Sequence, residues 1–410
     1  MNVLSPGRIR NYPRTILIVI WTGIALNWAL SRGWQGWGGR ILFIDFIVFY
    51  SAGLLFRTAP SSLYDFKGQL SLQQSLVAPT PLPGTAPFLH PPYVAPALEV
   101  FSYAPLPVAL VIWAVLSCAA LAGSVLLIRR LFGEELARLG ISTGTLVVIV
   151  LSSAPIVLGL YAGQMHTFVL LGAIGVVALS LAHRSLAAGA LAGLLAIKPQ
   201  LALGFGLFFL ARRDLRACVA SVLSFGALNA LMIGLAGWET AEQMYSEYLE
   251  TTRSLLLAPF LDGFPSYLLM TPYGLLTGFA GIGNQRIVFL LSMLIAAGFV
   301  AWFLRDTWRL RHEGKSAMRL SLGRALLLPC LLTPHWMMYD SSLFLLSWAV
   351  VAMSSTQGML LTGGALLYGW FWVCPFISAI VGVPLGVLAP VGVWAYTTHE
   401  YRALQHASQG

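Results

Sequence analysis

Leu106 to Ile128 reads LPVALVIWAVLSCAALAGSVLLI, without a charged residue, and is closed by Arg129-Arg130. A helix needs about 20 such residues to cross the roughly 30 Å of hydrocarbon in a bilayer. Comparable apolar segments recur at about 15–30, 141–160, 167–182, 217–236, 284–304, 320–333, 341–356, 358–373 and 384–397. The whole chain follows the same trend. Hydrophobic residues make up 58% of its 410 positions and charged residues 10%, against roughly 25% charged in soluble proteins. A soluble chain of this length suggests two or three domains, but the composition points to a single multi-pass, all-α membrane domain over 1–410. The 40 glycines and 22 prolines fit that reading, since both are commoner in membrane helices than in soluble ones.

The formal charge of +9 raises the question of nucleic acid. Arg and Lys lie in short clusters between apolar runs, a pattern of membrane orientation and not of a basic groove, so no nucleic-acid partner is expected. Arg8, Arg10 and Arg14 precede the run Thr15–Leu30 as in a signal peptide, but no small-residue cleavage site follows, and an uncleaved first span is expected. Cys118, Cys218, Cys330 and Cys374 lie in or beside apolar runs without metal-ligand spacing, and read as packing residues.

The stretch 186–210 is interrupted by Lys198-Pro199 and is too short for two crossings. A re-entrant half-helix pair, entering and leaving on one side, gives about ten spans with a cytoplasmic N-terminus. Seventeen of the 24 basic residues then fall inside; Arg32, Arg40, Arg57, Lys67, Arg253 and Arg286 fall outside, and Lys198 lies within the membrane. Counting 186–210 as one full span instead would turn the basic 305–319 loop outward, against the positive-inside rule. Two outer segments are long. The first, 31–105, carries an amphipathic-looking stretch from Phe43 to Phe56 and a Pro-rich piece. The second, 237–283, has Glu239, Glu242, Glu247 and Glu250 at helical spacing, then Asp262-Gly263-Phe264-Pro265.

Three constellations carry candidate chemistry. Asp45, within the apolar Ile41–Tyr50, is either paired with Arg40 or Arg57 or serves as a general base. Thr333-Pro334-His335-Trp336-Met337-Met338-Tyr339-Asp340 predicts a helix capped by Thr333 with Pro334 at its first position, its N-terminus favouring an anion and His335 and Tyr339 on one face. Lys198-Pro199-Gln200 places an ammonium deep in an apolar run; the alternatives are a functional cation and a lysine snorkelling to an interface. Gly163-Gln164-Met165-His166 and His90-Pro91-Pro92-Tyr93 are weaker signals that also suit simple turns. Arg253 suits either a phosphate contact or a lipid headgroup. By topology Asp45, His90, Gln164, Arg253, His335 and Asp340 all fall on the outer face, with Lys198 beneath them. One carboxylate among cationic and hydrogen-bonding groups suits a lipid phosphate beside a sugar. It is a poor cage for a divalent metal, so no metal or other cofactor is expected.

In Asp45-Phe46-x-x-Phe49-Tyr50-x-Ala52-Gly53, Leu63-Tyr64-Asp65, Pro91-Pro92, Gly163-Gln164, Ala188-Gly189 through Lys198-Pro199, and Pro334-His335-x-x-x-Tyr339-Asp340, the chain resembles glycosyltransferase family 87 over about residues 40–350. That family contains polyprenyl-phosphate-dependent mannosyltransferases of GT-C fold. The resemblance implies a plasma membrane of bacterial type and an extracytoplasmic active site, with Asp45 as catalytic base and Lys198 and His335 on the donor phosphate. The implied reaction is an inverting transfer of mannose or a similar hexose to a glycan or glycolipid acceptor. His90 stands where family members often have an aromatic residue, which leaves its role open between donor and acceptor. Two rivals are a lipid-carrier flippase or small-molecule transporter, and a ligase or polymerase of lipid-linked glycans. The unmatched half-helices weigh against the transporter.

Overall fold

The computed structural model describes residues 6–84, 86–257, 266–280, 284–352 and 357–409; Asp262-Gly263-Phe264-Pro265 lie outside them. Among the described residues the regular structure is helical, with isolated bridges in place of strands. The chain opens with α1 (Pro6–Ala29), then α2 (Ile44–Thr58), α3 (Phe66–Val77) and α4 (Ala95–Glu99) in the first outer segment. It continues as α5 (Leu106–Arg138), α6 (Thr143–Leu151), α7 (Ala154–Ala162), α8 (His166–Leu181), α9 (Ser185–Leu194), α10 (Pro199–Ala211) and α11 (Leu215–Ala236). The second outer segment holds α12 (Trp238–Leu257) and α13 (Pro272–Ala280). The chain closes with α14 (Gln285–Arg309), α15 (Lys315–Leu332), α16 (Ser342–Ala352), α17 (Gln357–Val381) and α18 (Leu388–Gln409).

Among the described residues four helices are long and apolar enough to cross a membrane, within α5, α11, α14 and α17; the bent pair α6–α7 makes five if it counts as one span. Length and apolarity alone therefore do not give the expected ten. What marks these helices as lipid-facing is their outer surface. Val222 and Leu223 on α11, Leu294 on α14 and Ile380 on α17 are each at least two-thirds exposed. Contiguous apolar faces of this kind are not stable in water, and the protein is a helical membrane protein.

The segment 141–160, expected as one span, is two helices meeting at 60°. Its cause is local. Ser152 Oγ donates to the Val148 carbonyl at 2.6 Å, and Pro155 in the next turn has no N–H with which to continue the first helix. The Phe43–Phe56 stretch also differs from expectation. It forms α2, but Phe46 through Gly53 are buried without interruption, so it is no amphipathic surface helix. Phe46 and Phe49 pack on Trp113 of α5 at 5.4 and 5.6 Å between ring centroids. Gly53 lets the α2 backbone lie against the Leu98 carbonyl of α4, where a Cβ would collide. The first outer segment is thus a packed cap on the helices below it.

Around Lys198 the interruption falls as expected: α9, a 3-10 turn over Leu195–Ile197, Lys198 in extended conformation, then α10 starting at Pro199. Ser185 and Ala188 of α9 and Phe208 and Arg212 at the far end of α10 line one small cavity, so both legs return to the same end of the molecule. Gly189 and Gly193, four residues apart, let α9 lie against the backbone of α11 at Ala217 and Ser221, the small-residue contact by which membrane helices approach closely.

Candidate functional site

The site forms where the tip of the α9–α10 hairpin meets the start of α2, the α7–α8 turn and the segment before α16. Helix α2 begins after Phe43, which has a left-handed backbone (φ 53°), and Asp45 sits in its first turn. Gln164 Nε2 donates to Asp45 Oδ2 at 3.0 Å. Gly163 makes that approach possible. It ends α7 at φ +75°, and a Cβ there would fall 2.7 Å from Phe46 Cβ. The Asp45 carboxyl is pushed up to about 6, chiefly by burial, against the pull of the Gln164 hydrogen bond and the Lys198 ammonium. Pairing with Arg40 or Arg57 is not seen. Arg40 donates to the Tyr267 hydroxyl at 3.3 Å, and the Arg57 guanidinium lies over the Tyr103 ring.

Lys198 is buried and ion-paired with Asp340, so it does not snorkel. The Trp336 and Tyr339 rings lie 5.8 and 5.4 Å from its Nζ, an electron-rich lining for an ammonium. The pair leaves donors to spare, because a lysine ammonium has three N–H groups. Tyr339 closes the site beside Lys198, near Gln164 and Asp45.

His90 is packed between Phe49 and Phe88, with ring centroids 5.5 and 5.7 Å away. Its Nδ1 lies 3.2 Å from the Ile197 carbonyl. A carbonyl can only accept, so Nδ1 carries the proton. Burial, helped by the Lys198 charge, lowers the ring to about 4, so at neutral pH Nε2 is a bare acceptor. Tyr93 donates to the neighbouring Ala196 carbonyl at 2.9 Å, and Tyr64 donates to the His90 carbonyl at 2.6 Å. The Ala196 and Ile197 carbonyls, left over where the hairpin tip stops being helical, are thus satisfied by Tyr93 and His90.

The expected helix start at Pro334 is not observed. Residues 333–337 are non-helical, followed by a 3-10 turn over Met338–Ser341 that runs into α16. The Thr333 hydroxyl does accept from the His335 N–H, at 3.0 Å. The following backbone is committed elsewhere: the Trp336 carbonyl accepts from Met270 N–H at 2.9 Å and the Pro334 carbonyl from Thr271 Oγ1 at 3.1 Å. His335 and Tyr339 are therefore not successive turns of one helix. His335 is half-buried on this strap, next to Trp336. Arg253 is exposed on α12, and no contact among the described residues brings it to the cluster.

Of Gly163-Gln164-Met165-His166, the sequence reading carries Gln164 into the site but not His166, which the structure places beside it. His166 is buried, its Nδ1 is 3.3 Å from the Gln164 carbonyl, and its ring occupies space that a Cβ on Gly159 would fill. It supports the Gln164 turn from beneath. The sequence signal was its place two residues after Gln164. A second buried ion pair, Arg324 with Asp306 at 2.6 Å, is further satisfied by Thr397 and Thr398 and flanked by Trp394 and Tyr401. That saturation marks it as a structural clamp among α14, α15 and α18.

A helical membrane protein with a desolvated carboxylate close to a buried, ion-paired ammonium is built for chemistry at the edge of a bilayer. The family model of glycosyltransferase family 87 matches residues 88–334, and the chain belongs to that family. It is a membrane glycosyltransferase. The match takes in His90, Gln164, Lys198 and Arg253. Asp45, His335, Tyr339 and Asp340 lie outside it and are joined to the matched residues by the contacts described above. No curated protein matches the chain.

Proposed function

We propose that the protein transfers a hexose, mannose or a close relative, from a polyprenyl-phosphate donor to a glycan or glycolipid acceptor on the extracytoplasmic face. The observation that carries this reading is the Asp45–Gln164 contact beside the Lys198–Asp340 pair: a base and a cation in one desolvated notch. Asp45 takes the proton of the acceptor hydroxyl as its oxygen attacks the anomeric carbon. The bond from that carbon to the phosphate oxygen breaks with inversion, and polyprenyl phosphate leaves with the electron pair. Lys198 offers its remaining N–H groups to the phosphate and, with His335, stabilises the charge the phosphate gains; Arg253, which lies outside the cluster, has no part in this step. Asp340 orients the ammonium, while neutral His90 accepts from a sugar hydroxyl and Gln164 and Tyr339 line the sugar subsite. A GT-C arrangement suits this chemistry, with about ten crossings, short helices buried among longer ones, a cytoplasmic N-terminus and the α9–α10 hairpin re-entrant. The donor lipid then reaches the site laterally through the bilayer.

The test is purified protein in nanodiscs with a panel of polyprenyl-phosphate hexoses, scoring release of polyprenyl phosphate and mass of the product. Asp45→Asn is expected to lower transfer by about 10²–10⁴-fold while the protein still inserts. Near-normal transfer by that variant removes Asp45 as the base. Lys198→Ala and His335→Ala are expected to raise the donor KM, and unchanged donor kinetics take them out of the phosphate subsite.

A further inference from the structure

The feet of the α9–α10 hairpin enclose a cavity of about 40 Å³ whose lining includes Ser180, His183, Ser185, Arg212 and Asp214. It lies far from Asp45. Helix α8 runs from His166 beside the catalytic notch to Leu181 at this cavity, and α10 from Pro199 to Ala211. At 1.5 Å per residue the separation is roughly 20 Å. No role in the transfer reaction reaches this end.

Two of its lining residues carry a buried donor atom without a hydrogen-bond partner among the described residues: Ser180 Oγ and Arg212 Nη1, the latter on a side chain that is otherwise only partly buried. Ser180 is only 7% exposed. The Arg212 guanidinium is fixed, not adrift, since Nη2 donates to the Arg311 carbonyl at 2.9 Å and Cζ lies 6.0 Å from the Phe208 ring centroid. Two more cations are held close by. Arg213 and Arg311 both stack on Trp308, at 4.2 and 4.1 Å from its centroid. The one acid in the lining, Asp214, is engaged with the N-terminus of α11, accepting from Ala217 N–H at 3.2 Å.

Orphaned buried donors call for an acceptor. A group of guanidiniums held together calls for negative charge, and arginine forks suit phosphate oxygens above other anions. Size narrows the ligand further. A water needs about 10–15 Å³ of such volume, so this cavity admits a single phosphoryl head and no sugar or nucleotide base. We infer that Ser180 and Arg212, backed by Arg213 and Arg311, form a binding site for one phosphate group at the end of the molecule opposite Asp45. The phosphate comes either from a phospholipid headgroup or from free phosphate, and the inference is independent of the proposed donor.

The experiment uses the full chain in phosphatidylcholine nanodiscs, with or without dioleoylphosphatidic acid, or titrated with inorganic phosphate against chloride at matched ionic strength. The thermal unfolding midpoint is the readout, because a ligand that binds only the folded state raises it saturably. A rise with inorganic phosphate identifies the free ion, and a rise with phosphatidic acid alone identifies the headgroup. Ser180→Ala and Arg212→Gln are each expected to weaken the response at least about tenfold, a loss in keeping with one charge-assisted hydrogen bond. Ser180→Ala removes only a hydroxyl, so it reports on the site even if Arg212→Gln does not fold. A wild-type protein that responds saturably to neither probe overturns the inference. So does a Ser180→Ala variant that responds as the wild type does.

Discussion

Burial pushes the Asp45 carboxyl up to about 6, and the Gln164 amide and the Lys198 ammonium hold it from going higher. A general base works only when ionised, so transfer should rise with pH through this value and level off above it. Gln164→Leu removes a donor that favours the charged form. The acid limb of kcat/KM, which reports the free enzyme, is then expected to move to higher pH by up to roughly one unit, equivalent to about 1.4 kcal/mol. A pH profile in nanodiscs checks this; an unmoved limb assigns it to another group. At this scale the sequence was informative where a residue was out of place. Asp45 and Lys198 stand out because charge is expensive in an apolar run. The bond from Gln164 to Asp45 and the pairing of Lys198 with Asp340 could not be read, because those partners are separated by 119 and 142 residues. Nothing local announces such a meeting.

The α9–α10 hairpin is held by backbone proximity and not by side-chain bulk. A Cβ on Gly189 would overlap the Ala217 carbonyl of α11, whereas one on Gly206 of α10 would meet nothing within 4 Å. Gly189→Ala is therefore expected to destabilise by about 1–3 kcal/mol, the usual range for overpacking, and to lower activity by shifting Lys198 at the hairpin tip. Gly206→Ala is expected to be neutral or stabilising by up to about 1 kcal/mol, since alanine is the better helix former. Thermal unfolding of the two variants side by side decides it, and equal losses would mean the α9–α11 contact is not tight. The break at Lys198-Pro199 was legible at this scale because proline fixes where a helix begins. The same logic failed at Pro334. There the carbonyls of Pro334 and Trp336 are engaged by Thr271 and Met270, and a distant segment overrode the local preference for a helix.

For the whole molecule the open quantity is which side each end of the hairpin faces. The charge pattern puts Arg184, before α9, and Arg216, after α10, on the cytoplasmic side together, and Lys67 on the opposite side. The shared cavity at the hairpin's feet gives a structural reason for Arg184 and Arg216 to travel together. A single crossing would separate them. Helix count was the least legible property because several helices here are short and wrapped by others. Helices α8, α10 and α16 are apolar, yet each falls below the length of an ordinary span. Hydropathy records that they are buried without saying whether lipid or protein covers them. Labelling resolves this. Lys67, Arg184 and Arg216 are all exposed. Lys67→Cys, Arg184→Cys and Arg216→Cys can each be placed in a background with Cys118, Cys218, Cys330 and Cys374 replaced. A membrane-impermeant thiol reagent applied to intact cells should modify only the Lys67→Cys protein. The other two should react only after permeabilisation, and both to a similar extent. Opposite reactivity of Arg184→Cys and Arg216→Cys would make 186–210 a crossing and invert every later loop. Joint labelling of both from outside would keep the hairpin and reverse the protein in the membrane. Asp45 would then face the cytoplasm, and the lipid-linked donor would have to be presented from that leaflet.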